Sequence, residues 1–173
     1  MKYAVFFLGL FFMFGCKSEP EPADIVEVKK PTEDPERITA KDIEKLRYTD
    51  YILSADAKAA MATWQKYNDL DAQVELLRKG NLSFFKTEKP LLKTYMEDLK
   101  REQPLAVKSP SIDARILVLE THLLKLQSYS TLSNIKKADI LKTIKDFLIS
   151  YANLNLQINK KLEFESQIIE IPY

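Results

Sequence analysis

Cysteine and histidine, the side chains most often used for nucleophilic attack and metal binding, each occur once in this chain. Cys16 follows Gly15 near the amino terminus, and His122 lies far from it within the sequence Glu-Thr-His. One histidine is too few for a zinc site with two histidine ligands, and one cysteine is too few for the CxxCH sequence that attaches haem. Because no GxSxG sequence presents a serine nucleophile, we expect His122 to be a solvated or hydrogen-bonded helix residue.

The carboxylates are numerous, but they are spaced as helix-surface partners of basic residues. Glu75 precedes Lys79 and Glu97 precedes Arg101 by four positions, a spacing that stabilises a helix by about 0.2–0.5 kcal/mol per pair. Gly80 is the only glycine after residue 15, whereas glycine-rich phosphate-binding loops need several. The sequence therefore predicts a protein that is not an enzyme and that uses no cofactor and no metal. A carboxylate-dependent hydrolase is a distant alternative.

The residues that precede Cys16 give this cysteine its significance. Lys2 is followed by an unbroken apolar run from Tyr3 to Phe14, and Gly15 and Cys16 come directly after it. A run of twelve apolar residues is too short to span a bilayer, because a spanning helix needs about 20. A basic start, a short apolar core and a small residue before the cleavage point are typical of a signal peptide.

The sequence Met13-Phe14-Gly15-Cys16 resembles the lipobox of bacterial lipoprotein precursors, and the resemblance is confined to residues 1–16. It implies cleavage between Gly15 and Cys16 and attachment of diacylglycerol to the Cys16 thiol. Met13 and Phe14 depart from the pattern, since leucine and a smaller residue are usual there. Two or more acyl chains hold a protein firmly at a bilayer, whereas one chain binds marginally. The alternatives are an uncleaved anchor and an ordinary secretory peptide with a free thiol.

Lys17 bears on the destination that the resemblance implies. Retention in the inner membrane of enteric bacteria calls for aspartate directly after the lipidated cysteine, and this chain has lysine there. We therefore expect a lipid-anchored protein of the outer membrane that faces either the periplasm or the cell surface.

The charge balance limits the partners of the exported chain. Removal of residues 1–15 takes away Lys2 alone and leaves 25 basic and 25 acidic residues. A net charge near zero argues against a nucleic-acid partner and against a large electrostatic contact with a membrane. We expect the membrane contact to be the lipid on Cys16. No cysteine would then remain for a disulfide, so the hydrophobic residues, 46% of the chain, must build the core.

Residues 16–38 are predicted to be the lipidated cysteine and a disordered tether. Four of the eight prolines and eleven charged residues fall between residues 17 and 38. Proline removes a backbone donor and fixes φ, so neither a helix nor a central strand is expected there. Residues 39–173 form the predicted domain.

The pattern after residue 38 is helical throughout. Thr39 is suited to capping a helix, and Gly80 with Asn81 forms a stop signal. Residues 40–79 are expected to form either one long helix or two helices joined near Ser54. The positions expected on their buried face are Ile43, Leu46, Leu53, Ala57, Ala60, Trp64, Tyr67, Val74 and Leu77.

Three further helical segments are predicted. The first begins near Pro90 and ends before Pro104. The second begins at Ser109 and Pro110. Its apolar residues have heptad spacing: Ile112, Ile116, Leu119, Leu123 and Leu126. Leu117 and Leu124 are expected to widen this apolar stripe. The third spans about residues 135–165. Two heptad-patterned helices with a short polar connection indicate an antiparallel hairpin. The predicted fold is an all-α bundle of four or five helices.

Three features are candidates for binding a partner. Phe84 and Phe85 lie in a connection, where they either close one end of the bundle or form an exposed anchor. Asn155 falls on the inner face of the last helix, where it either fixes the helix register or lines a polar pocket. The apolar tail that ends at Tyr173 either packs on the bundle or adds to a partner's sheet edge.

Two functions from different classes follow from these patterns. The first is a non-catalytic lipoprotein whose helical domain binds an envelope protein as an accessory subunit, inhibitor or scaffold. The second is a binder of a small molecule or lipid in a pocket between the helices. A dry, packed core would favour the first, and an apolar cavity with convergent Asn and Tyr groups would favour the second.

Overall fold

The computed structural model describes residues 36–167, and all regular structure in that range is helical. This confirms the all-α prediction, with six α-helices in place of the four or five expected. Short 3-10 turns lie at Phe84–Lys86 and Leu105–Val107. The helices are α1 (Ala40–Glu44), α2 (Ala55–Ala60), α3 (Gln65–Arg78), α4 (Lys89–Arg101), α5 (Pro110–Thr131) and α6 (Lys137–Ser166). The predicted signal peptide at residues 1–15, nearly all of the predicted tether and the tail end at Tyr173 lie outside the described residues.

The helices α5 and α6 form the most extensive helix pair in the domain. The hydroxyl of Ser109 caps α5 by accepting from the Ile112 N–H at 3.4 Å, and Pro110 takes the first helical position, as predicted. The connection of residues 132–136 is short, so α6 returns antiparallel to α5. All five heptad positions of α5 are fully buried: Ile112, Ile116, Leu119, Leu123 and Leu126.

Leu117 does not widen this apolar stripe. It was expected to lie beside the heptad positions, but its side chain is 56% exposed. Leu124 is partly buried against the core.

The last helix is buried over a wider arc than its heptad pattern predicts. Besides α5, it contacts α1, α2 and the turn at Leu105–Val107. Phe147 and Leu154 therefore have no solvent exposure, although both lie outside the inner positions that the heptad pattern predicts. Those positions are Leu141, Ile144, Leu148, Tyr151, Asn155, Ile158 and Leu162. A heptad pattern predicts burial against a single neighbouring helix, whereas α6 packs against neighbours on several sides.

The region of residues 40–79 differs from the prediction. It forms three helices, α1, α2 and α3, separated by residues 45–54 and 61–64, instead of one or two longer helices. Ser54 is the junction that the sequence indicated, because its hydroxyl accepts from the Ala57 N–H at 3.1 Å and caps α2. The second break lies at Trp64, whose buried indole Nε1 donates to the Leu99 carbonyl at 2.9 Å.

Gly80 ends α3 in the way the sequence predicts. Its φ is +84°, its N–H donates to the Leu77 carbonyl at 2.8 Å, and the Asn81 N–H donates to the Leu76 carbonyl at 3.0 Å. These two bonds form a Schellman motif, which satisfies carbonyls at the helix end. A Cβ at Gly80 would lie 3.1 Å from backbone atoms of residues 38–40, so this turn also packs against the start of α1.

A capping box and an ion pair fix α1 to the start of α6. The Thr39 N–H donates to Asp42 Oδ2 at 3.0 Å, and the Asp42 N–H donates to Thr39 Oγ1 at 3.4 Å. Lys137 Nζ lies 2.9 Å from the same Asp42 oxygen. The Lys137 ammonium and then the Thr39 hydrogen bonds hold the pKa of Asp42 well below its usual value, at about 2.

This shift predicts a pH-dependent contribution of Asp42 to stability. Because the folded state lowers the pKa, the stabilisation is fully present above about pH 4 and is lost as the pH falls toward about pH 2. The urea midpoint of Asp42→Asn should therefore lie below that of the wild type at pH 6, and the two midpoints should converge between about pH 4 and pH 2. Glu97→Gln, at an exposed position of α4, is the control and should show no such convergence. A pH-independent gap for Asp42→Asn would contradict the ion-pair explanation.

Candidate functional site

Asn155 lies at the buried end of a chain of polar side chains that reaches the exposed Asp71. The hydroxyl of Tyr67 on α3 donates to Asn155 Oδ1 at 2.6 Å and lies 2.9 Å from the hydroxyl of Tyr151. The Tyr151 hydroxyl in turn donates to Asp71 Oδ1 at 2.6 Å. The two rings stack with centroids 5.9 Å apart. The chain thus connects the inner faces of α3 and α6.

The two tyrosine hydroxyls are the hydrogen-bond donors between Asn155 and Asp71. Tyr67 and Tyr151 each carry one hydroxyl proton, and the Asn155 and Asp71 oxygens can only accept, so two protons are shared among three short contacts. Burial raises the pKa of both tyrosines well above the usual value, so both hydroxyls stay protonated at physiological pH. The arrangement therefore provides no tyrosinate nucleophile, and the Asp71 carboxylate at its end accepts from Tyr151.

The Nδ2 end of the Asn155 amide binds residues 51–54, a segment that is not helical. Asn155 Nδ2 donates to the Tyr51 carbonyl at 3.0 Å, and one turn later Asn159 Nδ2 donates to the Ile52 carbonyl at 2.8 Å. Asn159 Oδ1 also accepts from the Ser54 N–H at 2.9 Å. Two amides of α6 therefore satisfy backbone groups of residues 51–54 that an α-helix would otherwise pair internally.

These contacts favour the structural interpretation of Asn155. Both ends of its amide bond to groups of the same chain, and its side chain is buried. It is therefore not presented to a ligand. The sequence singled out Asn155 as an inner polar residue but did not identify its partners Tyr67 and Tyr151. Tyrosines at inner helix positions were the feature that could have identified these partners, because a buried hydroxyl needs a hydrogen-bond partner.

The phenylalanine pair closes the bundle. Phe85 has no solvent exposure, and its ring meets that of Phe147 on α6 edge to face with centroids 5.0 Å apart. Phe84 is partly buried, and its ring packs edge to face on Phe85 at 5.2 Å and on Tyr95 at 5.3 Å. Phe85 is therefore a core residue and not an exposed anchor, in line with the first of the two interpretations above.

His122 has no catalytic surroundings. It lies half-buried on α5, and its buried Nδ1 has no hydrogen-bond partner among residues 36–167. A catalytic histidine needs a nucleophile on one ring nitrogen and an orienting group on the other. Within the same part of the chain, no group of three His, Cys, Asp or Glu side chains could hold a metal ion.

Two surface clefts lie away from the Asn155 chain. One, of about 590 Å³, is bordered by residues 36–38 and 79–83, with Lys86, Ser130 and Ile140. The other, of about 410 Å³, lies between the end of α4 and the start of α5, and its lining residues are Lys100, Gln103, Lys108, Asp113, Ala114 and Leu117. Sequence analysis found neither cleft. The first joins segments far apart in the chain, and the second depends on how the connection between α4 and α5 folds.

Cys16 and Tyr173, the remaining candidate residues, lie outside the described residues. None of the helices within residues 36–167 has the length and hydropathy that crossing a membrane requires. Comparison of the chain with protein-family models, with curated proteins and with solved structures gives no match.

The Asn155 contacts predict a large loss of stability for Asn155→Ala. The substitution leaves the Tyr67 hydroxyl and the Tyr51 carbonyl without their partner, which should cost about 1–3 kcal/mol. Urea unfolding followed by circular dichroism measures this loss. Asn153→Ala is the matched control on the same helix, and it should cost less than about 0.5 kcal/mol. Equal losses at the two positions would mean that the hydrogen bonds of Asn155 do not stabilise the fold.

Proposed function

We propose that this protein is a bacterial envelope lipoprotein that is anchored through a lipid on Cys16 and whose helical domain binds another envelope protein. Its role would be that of an accessory subunit, an inhibitor or a scaffold, without catalysis. The proposed lipid anchoring and export rest on residues 1–16, where a basic start and a short apolar run are followed directly by the only cysteine. The proposed outer-membrane destination rests on Lys17 after that cysteine.

The closed interior supports binding at the surface rather than within the bundle. Asn155, the residue that could have lined an internal pocket, bonds to Tyr67 and the Tyr51 carbonyl. Tyr67 in turn contacts Tyr151, which donates to Asp71. The core around them contains fully buried Trp64, Phe85 and Phe147. This favours the protein-binding function over a ligand pocket between the helices.

The exposed leucines beside the cleft between α4 and α5 carry the proposal. Leu105 is 86% exposed and Leu117 is 56% exposed. Leu117 lines the cleft, and Leu105 lies between two other lining residues, Gln103 and Lys108. Large apolar side chains at the rim of a cleft lose contact with water when a partner covers them, and such patches mark interaction sites. We infer that an apolar segment of the partner protein binds here.

The anchor is tested by Cys16→Ser. Because Cys16 is the only cysteine, the variant should incorporate no fatty-acid analogue in growing bacterial cells and should keep residues 1–15. In-gel fluorescence of the labelled lipid and the mass of the purified protein measure the two effects. Cys16→Ala must behave in the same way. Equal labelling of the wild type and either variant would rule out a lipoprotein.

The interaction surface is tested by photo-crosslinking in intact cells. A benzophenone amino acid in place of Leu117 should give one crosslinked protein of defined mass, and Leu105→Glu should reduce that product at least about tenfold by placing a charge in the apolar contact. The same probe in place of Leu91, which is 59% exposed on α4, is the matched control and should not give this product. Identical products from both positions, or none at Leu117, would reject this surface. Melting temperatures of the variants separate lost binding from lost folding.

A further inference from the structure

The cleft beside Gly80 gathers positive charge from three separate segments. Arg37 precedes α1, Lys79 follows α3, and Lys86 ends the turn after Phe85; all three line this cleft of about 590 Å³. Among residues 36–167, no carboxylate forms an ion pair with any of these three side chains. Glu36 is the single acidic residue of the lining. We name this feature the basic cleft.

Hydrogen-bond donors accompany the positive charge. Ser130 Oγ is buried and has no hydrogen-bond partner in the described part of the chain, although its neighbours Ser128 and Thr131 donate to helix carbonyls at 2.9 and 3.0 Å. Asn81 Oδ1 already accepts from the Ser83 N–H at 2.9 Å, so the Asn81 amide and the Ser83 hydroxyl retain donors. Ser130, Asn81 and Ser83 all line the basic cleft.

The wall of the basic cleft is held in place before any ligand binds. The Schellman motif fixes the turn at Gly80, and the backbone of residues 38–40 packs against it so closely that a Cβ would meet it at 3.1 Å. Arg37 and Lys79 flank these two packed segments. A fixed backbone lowers the entropy that ordering the site would otherwise cost on binding.

We propose that the basic cleft binds a phosphoryl group. Three cations and several hydroxyl or amide donors match an oxyanion with three or more oxygens, whereas a carboxylate has only two to offer. The volume exceeds that of a single phosphate, so the cleft has room for the phosphoryl group together with the group attached to it. The source is either free phosphate or the phosphomonoester headgroup of phosphatidic acid, which has three non-bridging oxygens. The lipid source rests on the proposed membrane anchor, and the free-phosphate source does not.

The test is titration calorimetry of the full-length chain in detergent with two probes at constant ionic strength. Inorganic phosphate represents the free anion, and glycerol 3-phosphate represents the phosphomonoester headgroup of phosphatidic acid. We expect saturable binding of at least one probe, and the tighter probe identifies the source. Combining Arg37→Gln, Lys79→Gln and Lys86→Gln should weaken that binding at least about tenfold, because charge-assisted hydrogen bonds are lost.

Two further variants make the result specific. Arg115→Gln with Lys58→Gln and Lys93→Gln removes the same number of exposed charges outside the basic cleft and should leave the affinity within about twofold. Ser130→Ala should weaken binding several-fold while leaving the ligand-free melting temperature unchanged, since the hydroxyl has no partner to lose. Absence of saturable binding by both probes, or equal weakening in the two triple variants, would overturn the proposal. Neither result would affect lipid labelling at Cys16 or crosslinking at position 117.

Discussion

The amides of Asn155 and Asn159 determine how the first half of the domain is arranged. They bind the backbone of residues 51–54 at distances of 2.8–3.0 Å and hold that segment against α6 without helix. Backbone groups near a core must find partners, and side chains of a neighbouring helix supply them here. The helices α1 and α2 can therefore separate and pack on different parts of α6, which explains why α6 is buried on several sides.

This arrangement also removes the polar groups of the bundle from contact with ligands. The chain from Asp71 through Tyr151 and Tyr67 to Asn155 is satisfied within the protein, and a satisfied buried network specifies a single packing. The cost of breaking such a network is high, since an orphaned group keeps its full desolvation penalty. At the surface of the domain lie two clefts of different chemistry.

The two clefts both form at helix ends, but from segments at different separations along the chain. The basic cleft joins residues near 37, 80 and 130, and the cleft beside Leu117 joins the end of α4 to the start of α5. Each lies where a helix end meets the connection to the next element. Connections combine unpaired polar groups with exposed side chains, which is why binding residues are concentrated in them.

The sequence by itself determined the helical class, the α5–α6 hairpin, the cap at Thr39 and the stop at Gly80, because periodicity and capping are local properties. Within residues 40–79 it identified six buried positions, but Leu46, Leu53 and Ala60 are only partly buried, and the buried Met61 and Leu70 were not predicted. It also predicted too few helices there. The sequence indicated the junction at Ser54, but tertiary structure alone decided that the residues just before it are not helical, because their hydrogen-bond partners lie about a hundred positions later. Tertiary structure likewise decided that Asn155 is satisfied internally and that Arg37, Lys79 and Lys86 meet in one cleft, since no local pattern encodes contacts between remote segments.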